Sequence, residues 1–586
     1  MTSEPTNSNE ATQVATKWLT ALSSASDVET FASQFIPTGW LRDLMCFSWD
    51  FKSVAGRDQI VRFLSVSSES GGKSRFEHAQ LHNFELDKSI LPAKFPVPGH
   101  PQLLGVSAAF TFAITSPPAT GRGFVQLFPD GEGGQWKAFT VLTNIQDLDG
   151  HEEPQEGIEG YFGGTTWEEE HARKMAEIES DPTVLIVGAG QSGLMCAARF
   201  CRMGIRALVV EKTARVGDVW RNRYPGLSLH LKAHPMSVLY QPWPKTYPQF
   251  LPRDKIADFL EAYAVGQEIN VWLSSAVLPT PTYDELSGRW NVEVDRAGNR
   301  VRLNPKHIVF ATGMGAPKVP SWPGMNTFKG KMYHSDQHKG AAPFKGKRVV
   351  VVGAASIDVS EDFVVKGASE VTMVQRSATC VFSYGTMEKS PPPGDKLPIV
   401  EDMDLVNNSM SPALLIQLTT RALPSFKEND RELLDGLRKA GFKLTWQLTP
   451  DGEERLASGT ILDMGNAKLI SEGKIKIKQG VEVARVEPEG LVFADGSKLS
   501  ADVIVLATGY KPIMPSITSI MGDEIQNLIG NEIWGLDEGG ELRHCFRPTG
   551  APGFWVAPGG FVQARFLSKH LAIQIKAEEL GLKKRS

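Results

Sequence analysis

Residues 183–211, TVLIVGAGQSGLMCAARFCRMGIRALVVE, decide the fold of the central part of this chain. A short β-branched run precedes the pattern Gly188-x-Gly190-x-x-Gly193. A helical stretch follows the pattern, and a second β-branched run ends at Glu211. In this context the first glycine permits a tight turn, the second lets the backbone approach a pyrophosphate, and the third lets helix and strand pack closely. The sequence therefore predicts a Rossmann-like domain whose acidic residue accepts hydrogen bonds from a ribose.

The composition limits the class of protein. The chain has 586 residues, of which 41% are hydrophobic and 22% charged, and its net charge is −5. These values predict a globular protein of several domains, not a disordered chain or a small disulfide scaffold. The acidic balance and the lack of a long basic run argue against nucleic acid as a partner.

The cysteines and the apolar runs indicate the compartment. Five cysteines form no disulfide framework, and no apolar run reaches the ~18 residues of a membrane span. The opening stretch MTSEPTNSNE lacks the parts of a signal peptide. We therefore expect a cytoplasmic protein that contacts no membrane, and the spacing of the histidines and cysteines predicts no metal site.

Residues 1–150 form one unit, in which we expect helices over Ala11–Leu22 and Asp27–Phe35. The expected strands are Arg75–Leu86, Gln102–Ile114, Gly123–Leu127 and Gln135–Ile145. This α+β order resembles the cone-shaped fold of nuclear transport factor two and ketosteroid isomerase. We expect this unit to pack on the core or on a partner subunit and to shape access to the substrate. Residues 151–180 read as a linker with one charged helix.

The stretch after Glu211 indicates which dinucleotide binds. Residues 217–226 read GDVWRNRYPG, and Leu227-Ser228-Leu229-His230 follows. This segment resembles class B flavin-dependent monooxygenases, the group of flavin-containing monooxygenases, plant YUCCA enzymes and Baeyer–Villiger enzymes. The continuation is similar to YUCCA and fungal members, because Baeyer–Villiger enzymes usually carry Asp at the position of His230. The resemblance implies FAD at the first site, with His230 either contacting the reacting oxygen or packing on the flavin edge.

Cys196 and Cys201 offer a rival interpretation, because CxxxxC is the redox pair of disulfide reductases. In those enzymes the pair follows the ribose-binding acidic residue, whereas here it lies on the first Rossmann helix. Five residues at ~100° each place the two thiols ~140° apart around that helix. We expect both to be core thiols.

Further motifs of the family lie in the middle of the chain. Ile308–Gly313 ends in Ala-Thr-Gly and resembles the family's first ATG motif, and Phe328–His334 matches its FxGxxxH motif. Four residues later the family has an aromatic residue, but this chain has His338. The buried strand Arg348–Val352 then predicts a second dinucleotide-binding domain.

The phosphate loop of this second domain departs from the family. Gly353 is the one glycine of GxGxxG that is present, and matching Asp358-Val-Ser-Glu-Asp to the family's D-I-A-x-D makes the loop about two residues shorter. Ala355 adds a Cβ where backbone should approach phosphate. Asp358, Glu361 and Asp362 add negative charge near the helix start. We expect weakened pyrophosphate binding.

Arg376-Ser377 remains intact at the end of the next strand. In the family this pair holds the 2′-phosphate of NADPH, a role that suits the bidentate bonds of arginine. The alternative is a solvated charge at a strand end.

The last third carries the family's closing motifs. Val503–Leu506 leads into the second ATG motif, Ala507-Thr508-Gly509, which we expect to close the first domain. Residues 553–566 resemble the segment in which a helix N-terminus points at the flavin ring, so Gln563 is a candidate hydrogen-bond partner of the flavin or an ordinary polar residue of a first helical turn. Residues 390–404, with three consecutive prolines, read as a lid or loop beside the substrate.

The predicted fold class is α/β, with two Rossmann-like domains, the second inserted in the first, and the N-terminal α+β unit. We assign residues 181–325 and 455–586 to an FAD-binding domain and residues 326–454 to an NADPH-binding-like domain. The candidate catalytic residues are His230 and Gln563. The candidate cofactor-binding residues are Gly188, Gly190, Gln191, Ser192, Gly193, Glu211, Lys212, Val219, Trp220, Arg223, Leu229, His230, Val277, Thr312, Gly313, Gly353, Ser356, Arg376, Ser377 and Gln563.

The resemblance implies a monooxygenase in which NADPH reduces FAD. The reduced flavin reacts with O₂ to give a flavin C4a-(hydro)peroxide that oxygenates a small organic substrate. The altered loop keeps open a flavoenzyme with impaired NADPH use, acting as an oxidase or a redox-neutral catalyst. A flavin-binding protein without catalysis, dimerising through its N-terminal unit, is a third alternative. The chain is a candidate homo-oligomer.

Overall fold

The structure is a computed structural model that describes residues 4–68, 71–97, 100–130, 134–154, 164–354, 357–389, 391–448, 454–455 and 460–585. It contains three larger sheets, one in the N-terminal region and two in the rest of the chain. Among the described residues, no helix combines the length and apolar character that crossing a membrane requires.

The N-terminal region is a seven-stranded sheet with four helices. Its elements are α1 (Glu4–Ser23), α2 (Val28–Ala32), β1 (Phe35–Leu44), β2 (Phe51–Ala55), α3 (Arg57–Ser65), α4 (Arg75–Ala79), β3 (His82–Leu86), β4 (Ala93–Val97), β5 (His100–Ile114), β6 (Ala119–Asp130) and β7 (Gln135–Leu148). The strand order is β2-β1-β7-β6-β5-β3, with β4 also paired to β5. The α+β class of this region is therefore confirmed.

Two local predictions in this region are wrong, and α3 was not foreseen. Residues 75–86 begin as a helix, because Ser74 and Glu77 form a capping box in which each side chain accepts a hydrogen bond from the backbone of the other. The helix predicted over residues 27–35 is shorter. Asp27 is its N-cap, accepting from the amide of Thr30 at 2.7 Å, and Phe35 already starts β1.

The first core sheet is parallel and has the strand order β10-β9-β8-β15-β28. The elements up to its fourth strand are α5 (Trp167–Ser180), β8 (Val184–Val187), α6 (Gln191–Arg202), β9 (Ala207–Val210), α7 (Asp218–Arg221), α8 (Arg253–Gly266), β10 (Val271–Trp272), β11 (Ser275–Val277), β12 (Thr282–Asp284), β13 (Arg289–Arg296), β14 (Asn299–Leu303) and β15 (His307–Phe310). The last strand is β28 (Phe554–Val556). The order reverses between β8 and β15, so the crevice at their carboxyl ends is where such sheets bind ligands.

The second core sheet is also parallel, with the order β16-β27-β17-β18-β23. Its strands are β16 (Lys331–His334), β17 (Arg348–Val352), β18 (Glu370–Gln375), β23 (Lys476–Gln479) and β27 (Val503–Leu506). Between them lie α9 (Ile357–Val365), β19 (Val381–Ser383), α10 (Tyr384–Glu388), α11 (Val400–Asn407), α12 (Pro412–Asn429), α13 (Arg431–Lys439), β20 (Gln447–Leu448), β21 (Glu454–Arg455), β22 (Ile461–Asp463), α14 (Lys468–Ser471), β24 (Val483–Glu487), β25 (Gly490–Phe493) and β26 (Lys498–Ser500).

The helices that complete the chain are α15 (Met514–Met521), α16 (Asp523–Ile529) and α17 (Phe561–Glu579). Short 3₁₀ turns lie at Met325–Thr327, Ser335–Gln337, Ala342–Phe344 and Pro393–Lys396.

The boundary predicted at residue 455 is wrong. Both β23 and β27 belong to the second sheet, and β27 lies directly beside β17. The strand Val503–Leu506 therefore does not close the first domain, and the return to that domain comes after Leu506. The second ATG motif is accordingly a feature of the second sheet, since Ala507 follows β27 immediately.

The N-terminal sheet and the first core domain share one hydrophobic core. Trp18 and Leu142 of the N-terminal region belong to the same buried cluster as Phe200 of α6 and Leu571 of α17. α17 packs against α6 and also against β7. The prediction that the N-terminal unit packs on the core is therefore confirmed.

Buried polar contacts reinforce this interface. Arg42 of β1 forms a two-bond ion pair with Glu541, both N···O distances being 2.8 Å. Asn144 of β7 contacts His570 of α17 at 2.5 Å. Removing one partner from a buried charged pair leaves a charge without compensation, so these contacts fix the relative position of the two regions.

Candidate active site

The first glycine-rich turn forms a tight cradle at the end of β8. Gly188 has φ +107°, and a Cβ there would lie 2.8 Å from the carbonyl oxygen of Ala311, at the end of β15. A Cβ on Gly193 would lie 2.0 Å from the Gly188 carbonyl oxygen. A Cβ on Gly190, by contrast, would meet no described atom within 4 Å. Two glycines thus pack the turn, and the third leaves open the approach that a pyrophosphate needs.

Glu211 lies beside this cradle, at the end of β9. Its carboxylate accepts from the amide of Ala189 at 2.8 Å and from the amide and hydroxyl of Thr213 at 2.9 Å. These bonds tie the cradle to the end of the neighbouring strand. The predicted residue Val277 lies two residues after Ser275, whose amide donates to the Glu211 carbonyl at 2.8 Å, but the side chain of Val277 is buried in the core.

The GDVWRNRYPG segment runs along the same crevice. Gly217 has φ +90°, and a Cβ there would lie 2.4 Å from the Ala257 carbonyl oxygen, so α7 rests closely on α8. The ring of Trp220 stacks on Phe561, the first residue of α17, at 6.1 Å between centroids. Four predicted residues are exposed, namely Lys212, Val219, Thr312 and Gly313. Two more are half-buried, namely Arg223 and Leu229.

The N-terminus of α17 meets the cradle. The carbonyl of Gly559 accepts from the hydroxyl of Ser192 at 3.2 Å and from the side-chain amide of Gln191 at 3.4 Å. Gly560 is the N-cap of α17 and supplies no side-chain cap. Gln563 is close to this turn, since a Cβ on Gly559 would lie 3.1 Å from its Cβ. The start of α17, with amides that no side chain caps, therefore lies next to the start of α6, which suits an anionic ligand.

Buried ion pairs hold α17 in this position. Arg565 binds the carboxylate of Asp404, on α11, at 2.5 and 2.7 Å, and also donates to the carbonyl of Ser237. On the same helix α11, Asp402 is bound by Arg122 of the N-terminal sheet at 2.7 Å. Residues 400–404, which belong to α11, are therefore held between the N-terminal sheet and α17 by ion pairs and do not form a free lid.

The second site repeats the first turn. Gly353 has φ +127°, and a Cβ there would lie 2.1 Å from the Ala507 carbonyl oxygen. Ala507 thus stands to Gly353 as Ala311 stands to Gly188. The predicted contact residue Ser356 and the altered position Ala355 lie outside the described residues.

Arg376 and Ser377 follow β18, the neighbour of β17 in the second sheet. Both are exposed. Their place corresponds to that of Glu211 and Lys212 in the first domain, one strand away from the glycine turn. The geometry therefore suits the adenosine side of a dinucleotide, with a cation where the first site has a carboxylate.

The two histidines of the FxGxxxH region are structural. His334 is buried and contacts the Gly509 carbonyl oxygen at 3.0 Å. His338 is fully buried, with its ring parallel to that of Tyr333 and its Nε2 3.0 Å from Asp362. Burial lowers the pKa of His338, and the neutral ring takes the place of the aromatic residue of the family pattern.

The carboxylate of Asp358 has partners within the chain. This carboxylate accepts from the hydroxyl of Tyr224 at 3.0 Å and from the side-chain amide of Asn466 at 3.1 Å. It also lies 3.3 Å from Nε2 of His230, the candidate catalytic residue. Asp362 is likewise engaged, by His338 and by the Ala341 amide. Two of the three carboxylates predicted to repel a phosphate thus have partners within the chain.

The titration behaviour follows these contacts. The hydrogen bond with Asp358 raises the pKa of His230 above its ordinary 6.5, and partial burial opposes the rise. Burial alone would raise the pKa of Asp358, but hydrogen bonds from His230 and Tyr224 outweigh it and lower the pKa. Burial and the adjacent charge of Asp358 raise the pKa of Tyr224. Asp358 and His230 therefore form an ion pair over a wider pH range than free groups would.

The rival redox interpretation of the cysteines receives no support. Cys196 and Cys201 are both free; Cys196 is fully buried, whereas Cys201 is half-buried, so the prediction of a core thiol is confirmed for Cys196 and wrong for Cys201. Burial raises the pKa of Cys196 to about 12, which keeps it a thiol.

Sequence reasoning missed Trp534. Its backbone has φ +70°, a conformation that costs a bulky residue energy, and its side chain is 44% exposed. The edge of its ring packs on Gly559 beside Gln563, where a Cβ on that glycine would lie 3.4 Å from the ring. No motif surrounds this residue, so only the folded chain places it at the start of α17.

Comparison with known proteins agrees with this architecture. Residues 181–531 match the family model described as FMO-like, flavin-binding monooxygenase-like. The indole-3-pyruvate monooxygenase YUCCA1 of Oryza sativa subsp. japonica is 32% identical over 348 residues, which are 58% of this chain and 80% of that protein. The probable indole-3-pyruvate monooxygenase YUCCA7 of Arabidopsis thaliana is 30% identical over 57% of this chain and 75% of its own length.

Solved structures share the fold. A cyclohexanone monooxygenase with bound ε-caprolactone has a TM-score of 0.52 at 16% identity, over 68% of this chain and 88% of the other. An oxidised steroid monooxygenase has a TM-score of 0.50 at 19% identity, over 69% and 85%. Together with the two glycine cradles, the family match over residues 181–531 shows that this chain belongs to the flavin-binding monooxygenase-like family and is a flavin-dependent monooxygenase.

Proposed function

We propose that this chain binds FAD in its first core domain and uses NADPH and O₂ to oxygenate a small organic substrate. The observation that carries the proposal is the pair of equivalent glycine turns. Each lies at the switch point of a parallel sheet and faces an ATG alanine. The residues that differ between the two turns assign one dinucleotide to each.

The first site fits FAD. The open approach above Gly190 takes the pyrophosphate, the start of α6 faces its charge, and Glu211 holds the ribose hydroxyls. A carboxylate there disfavours a 2′-phosphate, so this site does not take NADPH. Thr312 and Gly313 are exposed directly beside the cradle, with the Thr312 Cα 3.4 Å from where a Cβ on Gly188 would lie. When bound, FAD supplies the transfer of electrons from the nicotinamide to oxygen.

The chain's own residues prepare the flavin position. The uncapped start of α17 directs its amides and positive dipole end toward the crevice, which favours negative charge on a bound ring. Gln563 offers a side-chain amide at the same turn. The stacked ring of Trp220 and the ring edge of Trp534 add apolar surface at this turn.

The second site fits NADPH. Gly353 keeps the turn at the end of β17, and Arg376 is exposed at the end of β18, where it can pair with a 2′-phosphate. The match to a monooxygenase family does not favour the alternative of an oxidase or redox-neutral enzyme.

The N-terminal region belongs to the functional unit in this proposal. We infer a cone of the nuclear transport factor two type from its α+β order, and it holds α11 and α17 through Arg122 and Asn144. The free cysteines fit the reducing environment of the cytoplasm, which we propose as the compartment.

The test is anaerobic stopped-flow reduction of the bound flavin, followed by oxygen consumption. NADPH should bleach the flavin faster than NADH does. Indole-3-pyruvate, named in the plant relatives, is a first substrate to try, beside simple ketones, amines and thioethers. With a true substrate, oxygen consumption should exceed hydrogen peroxide release. Full conversion of oxygen to peroxide with every substrate would indicate an oxidase, and no bleaching by either nucleotide would refute the proposal.

A further inference from the structure

A contact between the two core domains joins the candidate catalytic residue to the altered phosphate loop. His230 belongs to the first domain, and Asp358 lies in the first described turn of α9 in the second. His230 Nε2 is 3.3 Å from Asp358 Oδ2, and Tyr224, from the same segment as His230, donates its hydroxyl to the same oxygen at 3.0 Å. Two side chains of the first domain thus contact this carboxylate of the second domain.

The surroundings of this contact leave one ring nitrogen available. Because Asp358 can only accept, Nε2 must carry a proton, and Nδ1 is the nitrogen whose protonation can change. The side chain of His230 is 36% exposed, so solvent reaches part of the ring. Asn466 fixes the other oxygen of Asp358 at 3.1 Å, which prevents the carboxylate from turning away.

The charged groups around His230 are mostly acidic. Asp358 of α9 and Asp463 at the end of β22 act on the ring, and Glu361 of α9 interacts with both of these carboxylates. Lys468 of α14 acts on Glu361, and Arg223 acts on Tyr224. Among the acidic groups, Asp358 alone has a direct contact with the ring of His230 recorded in the structure.

Asp358 makes this contact from the first described turn of α9, the helix that follows the glycine turn at Gly353. The carboxylate thus lies where the second domain meets the segment of the first domain that contains Tyr224 and His230.

We propose that Asp358 is a positioning residue for the monooxygenase reaction. Its carboxylate fixes the imidazole of His230, with Nε2 toward α9, and favours the positively charged form of that ring at the boundary between the two domains. This inference rests on the proposed function, because the charge serves a flavin bound in the first domain. With FAD bound in the first domain, an imidazolium at this boundary would favour negative charge on the reduced ring and could supply a proton from Nδ1.

The test measures His230 itself, by NMR titration of ¹⁵N-labelled histidine in the purified full chain, with His230→Asn to assign the signal. In the unmodified protein the neutral ring of His230 should be the Nε2–H tautomer. Asp358→Asn should lower the ratio of protonated to neutral His230 about tenfold at a fixed pH. Asp358→Glu should restore part of that ratio.

Glu361→Gln is the matched control, because it removes one negative charge from the same helix without a direct contact to the ring. It should change the ratio by much less than Asp358→Asn does. In Asp358→Asn the decrease of turnover at alkaline pH should begin at a lower pH than in the unmodified protein, because His230 loses its proton earlier. A merely structural contact would not move this part of the pH profile.

Three results would overturn the inference. They are a neutral Nδ1–H tautomer in the unmodified protein, an unchanged His230 titration in Asp358→Asn, and equal shifts in Asp358→Asn and Glu361→Gln. If Asp358→Asn fails to fold, the tautomer and the Glu361→Gln titration still decide. A failed proposal of function would show instead as an inactive enzyme with the predicted His230 titration.

Discussion

The two glycine turns of this chain have the same backbone form and different surroundings. In the first, Gly188 faces the carbonyl of Ala311, and Gly190 keeps the approach to the turn clear. In the second, Gly353 faces the carbonyl of Ala507 even more closely, but the glycines that should follow are replaced. The close contact between turn and neighbouring strand is thus retained where the open approach to phosphate is altered. Packing of the sheet and binding of the ligand are separate requirements, met by different glycines of one motif.

The largest expected effect separates these two requirements. Gly190→Val should leave the apoprotein folded, because no described atom lies within 4 Å of the added Cβ. It should nevertheless weaken FAD binding at least about a hundredfold, since each backbone hydrogen bond to phosphate that is lost costs roughly 1.5–3 kcal/mol. The measurement is flavin absorbance after gel filtration. Gly266→Val, at an exposed glycine on α8 with room for a side chain, is the control and should keep its flavin.

For the first glycine of each turn we expect the reverse, which is a loss of fold stability. Gly353→Ala should destabilise the fold by roughly 1–3 kcal/mol, because φ is +127° and the Cβ would lie 2.1 Å from a carbonyl oxygen. Gly188→Ala should cost less, since the corresponding distance is 2.8 Å. Thermal unfolding of both variants checks the order. A larger loss of melting temperature in Gly188→Ala would contradict the comparison of the two turns.

A smaller effect concerns the nucleotide preference of the second site. Arg376→Ala should remove a preference of about tenfold for NADPH over NADH, the value of one charge-assisted contact of roughly 1.5 kcal/mol. The ratio of kcat/KM for the two nucleotides in flavin reduction is the measurement. Arg438→Ala is a suitable control, since this arginine is on α13 and pairs with Asp435 at the surface. An unchanged ratio in Arg376→Ala would assign the 2′-phosphate to another residue.

The smallest effect reaches the first site from a distance. Arg122→Ala removes the link from the N-terminal sheet to Asp402 of α11, whose Asp404 holds Arg565 of α17. Coupling through packed elements is typically about 0.5–2 kcal/mol, so FAD affinity should fall about threefold. Fluorescence titration of the apoprotein with FAD would detect this, while the NADPH preference should stay the same. A change in that preference instead would show that the N-terminal sheet acts on the second site.

The sequence predicted the elements that carry strong local signals. The β-branched runs on either side of Gly188 became β8 and β9, and those on either side of Gly353 became β17 and β18. The charged helix predicted within residues 151–180 became α5. Each of these depends on residues close together in the chain. The N-terminal order was less predictable, because the capping box of Ser74 and Glu77 outweighed a strand-like composition.

Other features could not be predicted because they depend on distant contacts. Val503–Leu506 and His307–Phe310 look alike as apolar strands before Ala-Thr-Gly, and only the pairing of sheets shows that they belong to different domains. The charges of Asp358 and Asp362 were expected to repel phosphate, since the sequence does not show that His230 and His338 lie beside them. The roles of His230 and Gln563 as catalytic residues stay predictions.

The contact of β7 with α17 has a consequence for the synthesis of this protein. Asn144 meets His570 across 426 residues of chain, and Asp147 meets Lys569 across 422. At about 5–20 residues per second, a ribosome needs roughly 20–85 s to add the helix that covers this face of the sheet. During that interval an apolar and partly charged surface is open to other nascent chains. The N-terminal region is made first but finishes folding late, so its yield in a cell should depend on chaperones that hold it until α17 emerges.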